Sequence, residues 1–214
     1  MRVVAFIPAR GGSKRIPRKN LVRLASLPLI QHTIRCARQA EPHVPDPWRY
    51  VVSTEDAEIA AFVRDFDRPV GREVSEIEVH HRPPHLATDD AQIEDAIAHW
   101  AETAGDTWDA MVLLQPTSPL RRPETIRACL DSMGAGSAMA TKDVDCFDHL
   151  KREAWSQSFD SGCVYAFKRS HWERHRCRYS DATVCVPIDR FEAWEIDDPL
   201  DLVVAEALLA ARDA

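Results

Sequence analysis

The chain is predicted to fold as an α/β protein with a mostly parallel sheet covered by helices on both faces. Three observations carry that prediction. Val3-Val4-Ala5-Phe6-Ile7 is a short apolar run rich in β-branched residues, the pattern of a strand buried on both sides. Ala110 to Leu114 is a second apolar run bounded by polar residues, the pattern of a central strand. Around these two, short strand-like runs alternate with segments whose apolar residues recur at helical spacing.

Taken in order, Pro28 to Gln39 carries Leu29, Ile30, Thr33, Ile34 and Ala37 on one helical face. Pro42, Pro45 and Pro47 mark a loop, and Trp48 to Ser53 reads as the second strand. Thr54 is placed to cap a helix beginning at Glu55, with Ala57, Ile59, Ala60 and Val63 facing inward. Glu76 to His80 is expected to form a short third strand. His80 to Asp90 is expected to be a loop because of Pro83 and Pro84, with His80, His81 and His85 as ordinary loop residues. A helix from Ala91 to Thr103 follows, with Ile93, Ala96, Ile97 and Trp100 on one face. After the central strand come a proline-fixed loop, Gln115-Pro116-Thr117-Ser118-Pro119, and a helix from Arg122 to Met133. Gly134 to Thr141 leads into a strand expected to end near Lys142, followed by a compact polar stretch. Val184 to Pro187 reads as a late strand, and Leu200 to Ala211 as a closing alanine-rich helix.

At 214 residues the chain fits a single domain, 1–214, and 45% apolar content is sufficient for a globular core. A net charge of −7 argues against general nucleic-acid binding. No apolar run is long enough to cross a membrane. Pro8 and Arg10 interrupt the first apolar run too early for a signal peptide, so a cytoplasmic location is expected. The six cysteines lack a C-x-x-C pair and are expected to be reduced. His171, His175 and Cys177 are close enough to raise a metal site. The intervening Trp172-Glu173-Arg174 lacks the HExxH pattern, so a solvated face is expected there instead.

Chemistry concentrates where the first strand ends. Ala9-Arg10-Gly11-Gly12-Ser13-Lys14-Arg15-Ile16-Pro17-Arg18-Lys19-Asn20 combines paired glycines, a hydroxyl and the cations Arg10, Lys14, Arg15, Arg18 and Lys19. Glycines let backbone N–H groups approach a ligand closely, and the cations supply counter-charge, so the loop has the means to hold a polyphosphate. It is neither a P-loop nor a dinucleotide fingerprint, since neither G-x-x-x-x-G-K-[ST] nor G-x-G-x-x-G occurs. Near the other end, Glu195-Ile196-Asp197 places two carboxylates on one face of an extended segment. Such a pair suits Mg²⁺ together with phosphate and water; on spacing alone an acidic pair before a helix is more often its cap and dipole partner, a role open to Asp198 or Asp201.

Three segments together resemble the CMP-sialic acid synthetases, the acylneuraminate cytidylyltransferase family. Ala9 to Asn20 is similar to the family's signature loop, Val112 to Arg121 to its second motif, and Glu195 to Asp197 with Asp201-Leu202 and Ala205-Glu206 to its third. Arg82-Pro83-Pro84-His85-Leu86-Ala87-Thr88-Asp89 also resembles a family segment that lies against the nucleotide. The resemblance implies a three-layer Rossmann-like nucleotide-diphospho-sugar transferase fold with a small lid or dimerisation arm, about residues 142–185, and a homodimer. It implies transfer of CMP from CTP to a sialic-acid-like 2-keto sugar acid, with Mg²⁺ and release of pyrophosphate. Arg10, Lys19 and Asp197 are then catalytic. Ala9, Arg10, Gly11, Gly12, Ser13, Lys14, Lys19, Asn20, Arg82 and Gln92 hold the nucleotide, including backbone N–H groups of Gly11 and Gly12. Gln115, Lys142 and Tyr165 meet the acceptor, and Asp197 with Glu195 holds the metal. A surface ion pair is the competing role for Arg82.

The chain departs from the family pattern in three places. Glu195 stands where aspartate is usual, Ser161 replaces an asparagine in Asp160-Ser161-Gly162-Cys163-Val164-Tyr165, and the 142–161 stretch is short. These departures keep two further readings open: cytidylyl transfer to an octulosonic acid or a phosphonate, and a protein that binds CTP without catalysis.

Overall fold

The computed structural model describes residues 1–42, 47–66, 76–148 and 153–213, with backbone alone for 143–148, 153–159 and 213. The loop expected around Pro42, Pro45 and Pro47 therefore lies partly outside the described residues.

The first strand, β1 (Val3–Pro8), is buried along almost its whole length, as its unbroken apolar sequence requires. A tight hairpin of β2 (Arg23–Leu24) and β3 (Leu27–Pro28) leads into α1 (Leu29–Ala40). Next come β4 (Arg49–Thr54), α2 (Ala57–Phe66), β5 (Ile77–His81), α3 (Ile93–Ala104), β6 (Ala110–Leu113) and α4 (Pro123–Ser132). The chain ends with β7 (Ser137–Asp148), β8 (Glu153–Lys168), α5 (Arg169–His175), β9 (Val184–Ile188) and α6 (Pro199–Asp213).

Seven strands form one sheet in the order β5-β4-β1-β6-β8-β7-β9. β5, β4, β1 and β6 run parallel to one another, β8 is antiparallel to both β6 and β7, and β9 is parallel to β7. The sheet is thus mostly parallel, as expected. Side-chain alternation in β1 divides the core: Val3, Ala5 and Ile7 pack with Ile30, Ile34, Val63 and Ile126. Val4 and Phe6 pack on the opposite face with Ile97, Trp100, Trp108 and Trp172. A third cluster joins Ile16, Leu24 and Leu29 to Leu120, Ile196, Ala205 and Leu209, which ties the chain's last helix to its first loop. Among the described residues no helix is long and apolar enough to cross a membrane.

Four expectations are corrected. α2 begins at Ala57, because Asp56 Oδ1 accepts from the N–H groups of Glu58 and Ile59 at 2.9 Å each. Thr54 belongs to β4, and its hydroxyl accepts from Asp56 N–H instead. His80 and His81 lie in β5 and not in a loop; buried His80 bonds Ser53 Oγ at 3.0 Å and His99 Nδ1 at 2.8 Å. β7 does not stop near Lys142 but continues to Asp148, paired with β8 as a long hairpin. Finally, His171 is no solvated residue: the 169–175 segment is helical and packs His171 and Trp172 inward against Phe167.

Candidate functional site

The loops that follow β1, β5 and β6 meet at the carboxyl ends of the parallel strands. The strand order reverses at β1, since the chain builds outward to β5 before returning to β6 on the other side. Ligands bind parallel α/β sheets at such switch points. A cavity of about 510 Å³ opens there. Arg10, Ser13, Lys14, Lys19, Asn20, Arg82, Gln92, Gln115, Glu195 and Asp197 all line it, as does Arg15. Ala9, Gly11, Gly12, Lys142 and Tyr165 are not among its lining residues.

Ala9 and Gly11 serve the loop's shape. Ala9 is fully buried and its N–H donates to Ser53 O at 2.9 Å. The Gly11 N–H donates to Glu55 Oε1 at 2.7 Å, so it is already taken and does not face a phosphate as expected. A methyl group on Gly11 would lie 2.8 Å from Asp56 Cγ, so the approach of the β4–α2 turn is what requires glycine there. Asn20 donates to the Arg10 carbonyl at 2.8 Å and closes the loop from behind. With those groups satisfied internally, the loop presents its long cationic side chains to the cavity.

Those cations are held by carboxylates from distant elements. Arg82, with only 5% of its side chain exposed, donates through Nε and Nη2 to Glu55 Oε2 at 3.2 Å. Burial lowers the Arg82 pKa and Glu55 opposes that shift, so Glu55 both orients the guanidinium and keeps it charged. Arg10 and Lys14 share Asp89 at 2.9 and 2.5 Å. Lys19 Nζ donates to Ile196 O at 2.8 Å and lies 3.2 Å from Asp197 Oδ1, which Arg15 reaches at 3.3 Å. The signature loop and the third motif, 178 residues apart, thus meet in one ion pair.

The second motif is braced by Arg121. The residue is 3% exposed, and its guanidinium donates to the carbonyls of Gln115 and Cys163 at 2.7 Å each. Bonds of this charge-assisted kind contribute about 1.5–3 kcal/mol each and fix the Gln115 loop against β8. Ile196 N–H donates to Thr117 O at 2.7 Å, which docks the third motif on the second.

Glu195 completes the far wall. Its carboxyl is pushed up from the ordinary range, first by burial and then by the negative charge of Asp197, while Lys142 and Lys19 oppose the shift. It lies over Gly162, which has φ +67 and sits at an irregularity in the β7–β8 register. Gln115 Nε2 reaches Gly162 O at 3.4 Å. Tyr165 is 2% exposed and turns its hydroxyl to Asp160 Oδ2 at 2.5 Å, so it supports this wall from behind. Ser161 does likewise, donating to Ala140 O at 2.6 Å.

Asp197 and Glu195 offer only oxygen donors, which suits a hard divalent ion that takes the Asp197 oxygen from Arg15 and Lys19. Among the described residues no three His, Cys, Asp or Glu side chains converge as a ready-made metal site. A cation here therefore needs phosphate and water for the rest of its shell, as Mg²⁺ does. Glu55, Asp89 and Arg121 are functional residues that the sequence reading did not single out. The sequence offered one signal for each: an acid just after a strand, an aspartate closing the proline loop, and an arginine closing the second motif.

The family model described as cytidylyltransferase matches residues 4–156. The chain is 29% identical to the CMP-N,N'-diacetyllegionaminic acid synthase of Legionella pneumophila, covering 98% of this chain and 97% of that protein. It is 24% identical to the N-acylneuraminate cytidylyltransferase of Escherichia coli over 95% of this chain but only 51% of that longer protein. A solved CMP:2-keto-3-deoxy-manno-octonic acid synthetase, complexed with CTP, superposes with a TM-score of 0.67 at 16% identity, covering 99% of this chain and all of that one. The last likeness establishes the nucleotide-diphospho-sugar transferase type of fold. With the family match and the first two relatives, it shows that the chain belongs to the cytidylyltransferase family, among its CMP-sialic acid synthetase-like members, and is a nucleotidyltransferase.

Proposed function

We propose that the protein transfers CMP from CTP to a sialic-acid-like 2-keto sugar acid, with Mg²⁺, and releases pyrophosphate. One observation carries the reading: a single cavity brings the cationic loop, Gln115 and the Glu195–Asp197 pair face to face. The cations suit a triphosphate and Gln115 offers a hydrogen-bonding amide to a hydroxylated acceptor. The named relatives in Legionella and Escherichia coli act on legionaminic and neuraminic acids, which supports that acceptor class here.

In this reading the acceptor hydroxyl attacks the α-phosphate. A new oxygen–phosphorus bond forms as the bond to the bridging oxygen of the β-phosphate breaks, pyrophosphate leaves and the hydroxyl proton passes to water. Arg10, Lys14 and Lys19 neutralise the phosphate charge and Ser13 donates its hydroxyl, so the barrier falls through alignment and electrostatics. Arg82, fixed by Glu55, and Gln92, near the start of α3, border the nucleotide. Gln115 aligns the acceptor, held by the Arg121 brace. Asp197 and Glu195 would hold Mg²⁺, which supplies charge stabilisation on the phosphates when bound. The enzyme is taken to work in the cytoplasm as a homodimer, which light scattering of the purified chain tests directly.

The decisive experiment measures pyrophosphate release from each of the four nucleoside triphosphates with Mg²⁺, against neuraminic, legionaminic, pseudaminic and octulosonic acids and simple phosphonates. Release confined to CTP and a nine-carbon acid is the expected result. Release only with octulosonic acid or a phosphonate moves the acceptor assignment. CTP binding with no release from any pair overturns catalysis.

A further inference from the structure

Each described cation lining the cavity already has a carboxylate partner. Arg82 is paired with Glu55, which lies outside the lining and is largely buried. Arg15 and Lys19 are paired with Asp197. Arg10 and Lys14 are paired with Asp89, which stands inside the cavity and is 41% exposed. The Asp89 carboxylate uses its two oxygens as a phosphate would: Oδ1 meets the Arg10 guanidinium and Oδ2 meets the Lys14 ammonium. The adjacent Thr88 carbonyl adds a 3.1 Å contact to Arg10.

We propose that Asp89 is an internal competitor for the phosphate subsite, which a triphosphate must displace from Arg10 and Lys14 in order to bind. This rests on the triphosphate reading given above. A polyphosphate carries several charges and several acceptor oxygens, so it wins both cations from one carboxylate. Exposed ion pairs of this kind are weakly held and exchange readily, unlike the buried Arg82–Glu55 pair. The Lys14 and Arg10 charges also keep the Asp89 carboxyl below its ordinary range, so the competitor stays ionised. Asp89 therefore sets the affinity of the site for phosphate and restricts it to ligands with enough charge to open the pair.

The test is calorimetric binding of pyrophosphate, CTP and cytidine in EDTA, which needs no turnover. Asp89→Asn is expected to tighten pyrophosphate and CTP by about fivefold, the effect of removing one competing charge at close range, and to leave cytidine unchanged. Asp90→Asn removes the same charge from the exposed neighbouring position, outside the ion pairs. It is expected to leave all three affinities unchanged, and thermal melting confirms that both variants fold. Equal or weaker pyrophosphate binding by Asp89→Asn overturns the proposal, as does an equal gain from Asp90→Asn. Failure of the native chain to bind CTP or pyrophosphate at all overturns the triphosphate reading instead.

Discussion

Replacing Gly162 by alanine adds one methyl group where the sheet's irregularity meets the active-site wall. Two costs follow. At φ +67 a residue with a Cβ is strained by about 1–2 kcal/mol. The new carbon would also lie 2.9 Å from Glu195 Cδ, inside the ~3.5 Å approach of unbonded carbons, so Glu195 must swing away. Gly134 supplies the control: it has φ +52, but nothing lies within 4 Å of an added Cβ. Gly134→Ala is expected to cost the backbone strain alone, lowering the melting temperature by about 2–8 °C for a chain of this size. Gly162→Ala is expected to carry the same backbone strain and, by displacing the Glu195 carboxylate, to lose most CTP-dependent pyrophosphate release. Thermal denaturation and pyrophosphate release read both effects. If Gly162→Ala melts with Gly134→Ala and turns over normally, the assignment of Glu195 to a seat on Gly162 is refuted.

Lys19→Ala is expected to abolish most turnover while the circular-dichroism spectrum stays native; unchanged turnover would defeat the loop assignment. Ala25 and Ser26 form the two-residue β2–β3 turn with φ +45 and +72, values that Asn-Gly accepts far more readily. Changing both to Asn-Gly is expected to raise stability by about 1 kcal/mol, read as a higher melting temperature. His80 is pushed down to about 4, first by burial and then by the neighbouring His99, with Arg82 and His81 acting the same way and Glu78 against. Because the unfolded histidine takes its proton near pH 6.5, stability should be full above that pH. It should then fall as the pH drops from 6.5 toward 4, at no more than about 1.4 kcal/mol per pH unit from this group. Urea titrations across that range check this, and His80→Gln should flatten the curve.

The parallel half of the sheet was legible because β1 and β6 are nearly continuous apolar runs and β4 carries Tyr50-Val51-Val52 at its centre, the pattern of buried strands. The cationic loop was legible because so many like charges beside paired glycines need a ligand or partner. What stayed hidden depends on topology. Glu55 meets Gly11, and Asp89 meets Lys14, only because β4 lies beside β1 and β5 beside β4, which local periodicity does not reveal. α5 spans seven residues, too few for a helical period to stand out. The β2–β3 turn carries Ala-Ser where a hairpin signal would be Asn-Gly. The alternation in Asp143-Val144-Asp145-Cys146 carries a strand's period, yet its aspartates make it read as a compact polar stretch.

The contact of Lys19 with Asp197 has a consequence for biogenesis. A ribosome exposes the cationic loop before the third motif, yet the loop's Lys19 and Arg15 meet Asp197 only when that motif emerges. A chain halted before that motif presents a cationic loop without its electrostatic counterweight. Such a nascent chain can attract polyanions but cannot complete the wall that Glu195 and Asp197 form. Chains truncated before the third motif should therefore retain polyanions that the full chain releases, which heparin chromatography reads.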